Sequence, residues 1–253
     1  MCGILSAMLA EKGFNGPSTI FEGATGFLNA YSLNREYDVS FIKKDLGRIW
    51  HFATSSIKFY PCCRYSAGHL DGCLEIYAKY HPTPERIKKI SIRSSDFTIK
   101  ILTTPLGRKL KPQTTVDAQF SMPYQAAVAL IRGKVDIESF TEKWFESPSV
   151  LELVPKVEWM VDEEFERRYP RSYSCAVTVT MDDGVTYSSV IDNPKGDYRN
   201  LLTSEEIGNK FIDLARREMG REDEIREIIR FIRGIEKISD INEMFSLIEK
   251  ASS

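Results

Sequence analysis

The chain has 253 residues with 34 basic and 36 acidic side chains, a net charge of −2, and a composition (42% hydrophobic, 28% charged, 11% aromatic) that suits a globular protein with a full core. No positive field and no basic run interleaved with aromatics points to nucleic acid, and no stretch approaches the roughly 18 apolar residues of a membrane span. The apolar opening, Cys2 to Ala10, lacks a basic leader and stops at Glu11-Lys12-Gly13, and five cysteines without framework spacing fit reduced thiols, so a cytoplasmic location is expected.

In chain order, Ile4, Leu5, Met8 and Leu9 predict a first helix that begins without an N-cap residue. A loop at Gly13–Ser18 and a short helix around Thr25–Tyr31 follow; both helices are too short and too apolar to stand without a partner surface. Leu70, Cys73, Leu74 and Tyr77 mark the buried stripe of the next helix. Lys88–Arg93 alternates as a strand through Ile90 and Ile92, and Thr98–Leu102 reads as another. One helix is expected over Asp117–Arg132, with Phe120, Tyr124, Ala127, Val128 and Ile131 on one side and Pro123 in its first turns.

Tyr173–Thr180 and Val185–Ile191, joined by Asp182-Asp183-Gly184, predict a β-hairpin. Asn193–Asp197 breaks the pattern, after which everything is helical. Thr203-Ser204-Glu205-Glu206 is a capping box ahead of Ile207, Phe211 and Leu214. Ile225, Ile228, Ile229 and Ile232 define a further helix, and a last one opens at Asp240 with Met244, Phe245 and Ile248. Helices and a hairpin without regular βαβ alternation predict an α+β sheet with helices on one face.

The most informative stretch runs from Lys58 to Asp71. It brings Lys58, Arg64, the adjacent thiols of Cys62 and Cys63, and His69 to the N-terminal end of a helix. Free backbone amides and the positive end of the dipole attract anions there, and with two cations beside them the natural ligand is a small carboxylate or phosphate. The alternative is that Lys58 and Arg64 are surface cations and the cysteines fill the core. Cys62, Cys63, His69 and Cys73 match no zinc spacing and form no Cys-x-x-Cys pair, so no metal and no cofactor is expected.

Lys-x-Tyr-Pro-Cys-Cys-Arg-Tyr at Lys58–Tyr65 resembles the signature of the MmgE/PrpD family. Ala10–Pro17, the Ala118-Gln119-Phe120-Ser121-Met122-Pro123-Tyr124 segment, and Pro194–Asp197 with Leu202–Glu206 and Lys210-Phe211 resemble three further family blocks, in family order. The resemblance implies an α+β lid domain inserted between segments of an all-helical domain that is incomplete at its N-terminus. Residues 1–55 would belong to the helical domain, 56–194 to the lid and 195–253 to helices returning to the helical domain. It also implies that Met1 falls inside a helix that continues upstream in full members, and that site residues of their N-terminal half are missing.

Family members include 2-methylcitrate dehydratases, cis-aconitate decarboxylases and an epimerase of a dicarboxylic amino acid derivative. The implied activity is therefore that of a lyase on small di- or tricarboxylic acids, with dehydration, decarboxylation and epimerisation all open. Such chemistry needs cations that neutralise carboxylates and stabilise enolate-like charge, together with a general acid/base. Lys58 matches the family's site lysine. The family's site histidine follows Tyr-Thr or Tyr-Ser, where this chain has Ala67; His69 lies two residues on, about 200° around a helix, and takes that role only if Gly68 permits a local rearrangement. Otherwise His69 sits on the exposed side of the helix start.

Tyr124 is expected to donate a phenolic hydrogen bond to the substrate, and Arg64, Ser121, Cys62 and Cys63 to line its site. Packing and capping are the competing roles for Tyr124 and Ser121. Expected partners are a polycarboxylate and a second copy of the chain, a separately encoded N-terminal helical half, or both. The alternative is a truncated, catalytically inactive member acting as a binding or interaction protein.

Overall fold

In a computed structural model, the structure describes residues 1–32, 36–40 and 44–252. It comprises two compact units, Met1–Phe52 and Ala53–Ser253. In the first unit the helix Cys2–Glu11 starts without a side-chain cap and buries none of its residues. Ile4 and Met8 are 70% and 59% exposed, consistent with the expected need for a covering surface. A second short helix, Phe27–Tyr31, brings its terminal rings together at a tilt, their centres 4.7 Å apart.

The second unit is built on a four-stranded sheet of β1 (Ile87–Ser94), β2 (Val157–Val161), β3 (Cys175–Met181) and β4 (Thr186–Ile191), in the order β2-β1-β3-β4. β3 and β4 form the expected hairpin, with Gly184 in the left-handed region at φ +87° in the turn. β1 pairs antiparallel with β3, setting Ile90 opposite Val179 and Ile92 opposite Val177. It pairs parallel with β2, and the chain between them crosses through several helices. Ile90, Ile92, Val177 and Val179 point into the core while Arg93, Thr178 and Ser188 alternate outward, so one face is covered and the fold is α+β as expected.

The helix Ala67–Tyr80 packs across β3 and β4 and against a central helix, Met122–Arg132, whose first nine residues are all buried. Gly68 and Gly72 set the spacing of this contact. A Cβ on Gly68 would lie 2.8 Å from Cys175 Cβ, and one on Gly72 would lie 2.7 Å from Val177 Cγ2. Gly68 thus serves close helix–sheet packing, within a regular helix, and no rearrangement there turns His69.

Two expectations are corrected. Thr98–Leu102 belongs to the helix Asp96–Thr103, capped by Ser95 and burying Thr98, Ile99, Leu102 and Thr103. The spacing of those four is helical, and the strand reading rested on too short a window. The expected helix Asp117–Arg132 is two helices, Thr115–Gln119 and Met122–Arg132, broken at Phe120-Ser121. Ser121 is the N-cap of the second, accepting from Tyr124 N at 3.1 Å, and Pro123 sits in the first turn where its missing N–H costs nothing.

At the C-terminal end, helix Ser204–Ala215 opens with the expected capping box, Thr203 and Glu206 each accepting from the other's backbone. Helices Glu222–Arg233 and Asn242–Ala251 follow, the former packing on both neighbours.

The glycine contact gives a direct test. Gly72→Ala adds helix propensity of about 1 kcal/mol but forces Val177 to move, a displacement that costs about 1–3 kcal/mol. Thermal unfolding of Gly72→Ala is expected at lower temperature than wild type. Gly107→Ala, in a helix with nothing within 4 Å of the added methyl, is expected to be neutral or stabilising. Equal melting of the two variants would refute the packing account.

Candidate functional site

The segment from Ile57 to Ser66 is held by main-chain and side-chain anchors from three directions. Ile57 N donates to Gly196 O at 2.8 Å. Gly196 has φ +85°, and a Cβ there would lie 2.1 Å from Ile57 O, so only glycine fits. Gln119 Nε2 donates to Pro61 O at 2.8 Å, and Cys63 N donates to Gln119 O at 3.0 Å. Lys210, on the helix Ser204–Ala215, donates its ammonium to the Lys58 carbonyl.

Beneath this segment lies the buried Asp71. The Tyr60 phenol donates to Oδ1 at 2.5 Å, and the Lys195 backbone N–H donates to Oδ2 at 2.6 Å. Burial pushes the Asp71 carboxyl upward, against those two hydrogen bonds, and burial with the Asp71 charge pushes the Tyr60 phenol upward as well. One carboxyl thereby fixes both the Lys58 segment and the Lys195-Gly196-Asp197 loop.

Lys58 is exposed, and its charge reaches Lys210, Cys62 and Cys63. Burial first, and the Lys58 charge second, lower the pKa of Lys210. A cavity of about 450 Å³ lies beside this corner, with Lys210, Phe59, Pro61, Glu206 and Asn209 among its lining. Lys195 ion-pairs with Glu206 and lies 5.3 Å from the centre of the Phe59 ring.

The helix start is occupied differently from the expectation. Cys63 stands at the N-cap of the turn Arg64–Ser66 without a side-chain cap bond, and Ser66 N donates to its carbonyl at 3.0 Å. Burial raises the Cys63 thiol, and burial pushes Cys62 up to about 12, so both are neutral thiols. Arg64 already has an anion: Asp197 lies 3.7 Å away, Ser56 accepts at 3.3 Å, and the Tyr173 ring is 5.3 Å from the guanidinium carbon. Its Nε and Nη1 are buried without hydrogen-bond partners, and the ring face of Tyr173 is what they have instead. Burial alone would raise the Asp197 carboxyl, but Arg199, bonded to Oδ1 at 2.8 Å, and Arg64 hold it below the usual range.

His69 is buried, not exposed, because residues 66 to 73 are covered all round. Its Nε2 is 3.0 Å from Gln125 Oε1. Gln125 donates through Nε2 to Ala118 O and Gln119 O, which assigns its oxygen to His69 and places the imidazole proton on Nε2. Nδ1 is buried without a partner, and burial lowers the pKa to about 4 despite Gln125.

Tyr124 is fully buried and donates to Ser139 O at 2.5 Å, while Ser121 caps its helix and donates to Lys109 O at 2.5 Å. Lys58, Cys62, Cys63 and Arg64 therefore share one corner; His69, Tyr124 and Ser121 are committed inside the core. The residues this corner adds are Asp71, Lys195, Asp197, Arg199 and Lys210. All but Arg199 stood within the motif blocks, but nothing in the sequence showed that the blocks touch.

Among the described residues no group of three or more His, Cys, Asp or Glu side chains converges as a metal site. No helix of the described residues is long and apolar enough to cross a membrane.

The buried imidazole makes a pH-dependent prediction. Folded His69 has a pKa of about 4 against 6.5 for the free side chain, so between these values the unfolded chain binds more protons. Its contribution is intact above pH 6.5 and is lost as pH falls toward 4. Urea unfolding at pH 7 and pH 5 is expected to show a smaller loss for His69→Gln than for wild type, by about 2 kcal/mol. Identical losses would rule out a neutral buried His69.

The sequence matches the MmgE/PrpD C-terminal domain over residues 60–233. It is 23% identical to a cis-aconitate decarboxylase of Aspergillus terreus over 259 aligned residues, covering 97% of this chain and 52% of that protein. It is 24% identical to that of Mus musculus (99% and 50% covered) and 23% identical to that of Homo sapiens (99% and 51% covered). The chain spans about half the length of these curated relatives. It belongs to the MmgE/PrpD family.

Proposed function

We propose that this chain supplies the Lys58-bearing part of a lyase acting on a small di- or tricarboxylic acid, working with a separately encoded N-terminal helical half. In this reading residues 56–194 are the lid, and residues 1–55 and 195–253 join the helical domain. The observation that carries it is the pairing of exposed Lys58 with Lys210, whose pKa is lowered by burial and by its neighbour. Two ammonium groups on one rim attract a ligand with more than one carboxylate. The lowered pKa makes Lys210 a readier proton donor than a free lysine. The curated relatives, named as cis-aconitate decarboxylases, support the substrate class.

Lys58 neutralises a substrate carboxylate and stabilises the negative charge that develops as a C–H or C–C bond breaks. The rigidity of the Lys58 segment matters for this, since a charge contributes in the transition state only where it is already in place. Arg64 acts indirectly, holding Asp197 and with it the loop that carries Lys195.

A specific observation favours a second reading, that of a non-catalytic family member. Ala67 stands where the family signature has histidine, and the one nearby imidazole is neutral and buried against Gln125. This reading treats the Lys58 corner as a binding site without turnover.

Co-expression with the N-terminal half separates the two. The assembled protein is expected to release CO2 from cis-aconitate or to dehydrate 2-methylcitrate, and Lys58→Ala to lower kcat/KM by about 100-fold, about 2.7 kcal/mol. Unchanged activity in Lys58→Ala would remove Lys58 from the mechanism. An assembled but inactive protein that still binds these acids would establish the second reading. Light scattering of the same sample is expected to show two copies of each chain, and a single copy would remove the homodimer.

A further inference from the structure

A second cationic concavity lies within the second unit and shares Arg199 with the Lys58 corner. It has a volume of about 870 Å³ and is framed by the end of the helix Glu163–Arg168, the turn that follows it, the residues after β4, and Arg199. Four guanidinium groups line it, from Arg167, Arg168, Arg171 and Arg199, against a single carboxylate, Asp192.

The four are not equivalent. Arg168 is neutralised by Asp192 at 2.6 Å and by Glu164. Arg199 is neutralised by Asp197 and also donates through Nη2 to Arg171 O at 2.7 Å, pinning the main chain that presents Arg171. Arg167 donates only to the Glu163 carbonyl, at 3.2 Å, and forms no ion pair among the described residues. Arg171 likewise has no carboxylate partner among them; both side chains are exposed. The cavity thus holds two uncompensated guanidiniums on a braced frame, with Tyr169 beside them in an aromatic cluster with Tyr65, Phe97 and Tyr173.

Planar five-donor guanidiniums recognise carboxylate and phosphate oxygens in pairs, and like charges held in one cavity repel until an anion joins them. A volume of this size holds a small ligand, within the ~300–1,000 Å³ range of small-molecule sites. We propose that this cavity is a second anion site, taking a small ligand with at least two anionic groups, an organic phosphate or a polycarboxylate, on Arg167 and Arg171. It is separate from the substrate reading for Lys58 and stands whether or not that reading does.

The test is calorimetric titration of the full chain with pyrophosphate and, separately, with citrate, at constant ionic strength. Saturable binding at this site is expected for at least one of them, and the tighter of the two identifies phosphate or carboxylate as the natural group. Arg167→Gln/Arg171→Gln is expected to weaken that binding by at least about tenfold. Arg171→Lys, which keeps the charge but loses the fork, is expected to fall between. Arg86→Gln, on a distant exposed arginine paired with Asp182 and Asp183, is expected to leave it unchanged. Circular dichroism confirms that each variant is folded. Absence of saturable binding by either probe overturns the proposal, as does equal weakening in Arg86→Gln. Binding that survives Arg167→Gln/Arg171→Gln but is lost in Lys58→Ala also overturns it, placing the anion at the Lys58 corner instead.

Discussion

The second unit turns on the carboxyl of Asp71. It reaches from the helix Ala67–Tyr80 to the Tyr60 phenol on one side and the Lys195 main chain on the other. A buried carboxyl is costly unless its oxygens are occupied, and both are. This single group ties together segments 124 residues apart in sequence, and it does so directly below the Lys58 corner. Gly196 completes the arrangement, because only a residue without a side chain can lie against the Ile57 carbonyl. The cation corner is therefore a product of the core, although Lys58 itself is exposed.

The charges around it form a chain of satisfied pairs. Arg64 and Arg199 share Asp197, and Lys195 takes Glu206. Close by, the Lys210 ammonium meets only the Lys58 carbonyl, and Arg167 in the arginine cavity meets only the Glu163 carbonyl. A protein of net charge −2 thus carries concentrated positive charge locally, which no whole-chain balance reveals. Cys62 and Cys63 are part of the packing here. Burial keeps them protonated.

Much of the fold was legible because its signals are local. The β3–β4 hairpin, the Thr203 capping box and the stripe of Leu70 and Cys73 follow from turn chemistry and periodicity. Thr98–Leu102 was misread because five residues cannot separate a period of 2 from one of 3.6; Ser95 ahead of Asp96 was the cap that marked a helix. The break before Met122 had a signal too, since Ser121 two residues ahead of Pro123 is an N-terminal pattern. The site was less legible. Lys58 and Arg64 stood out by charge, but the partnership of Arg64 with Asp197, and of Lys58 with Lys210, depends on contacts more than 100 residues apart. His69 looked accessible on helical geometry alone. Its burial comes from the helix Met122–Arg132 crossing over it, which supplies Gln125.

Glu206 has two duties: it closes the capping box on Thr203 and holds the Lys195 ammonium. Fraying of that first helical turn consequently also frees the Lys195 ammonium, while the main chain of the loop stays tied to the core through Asp71.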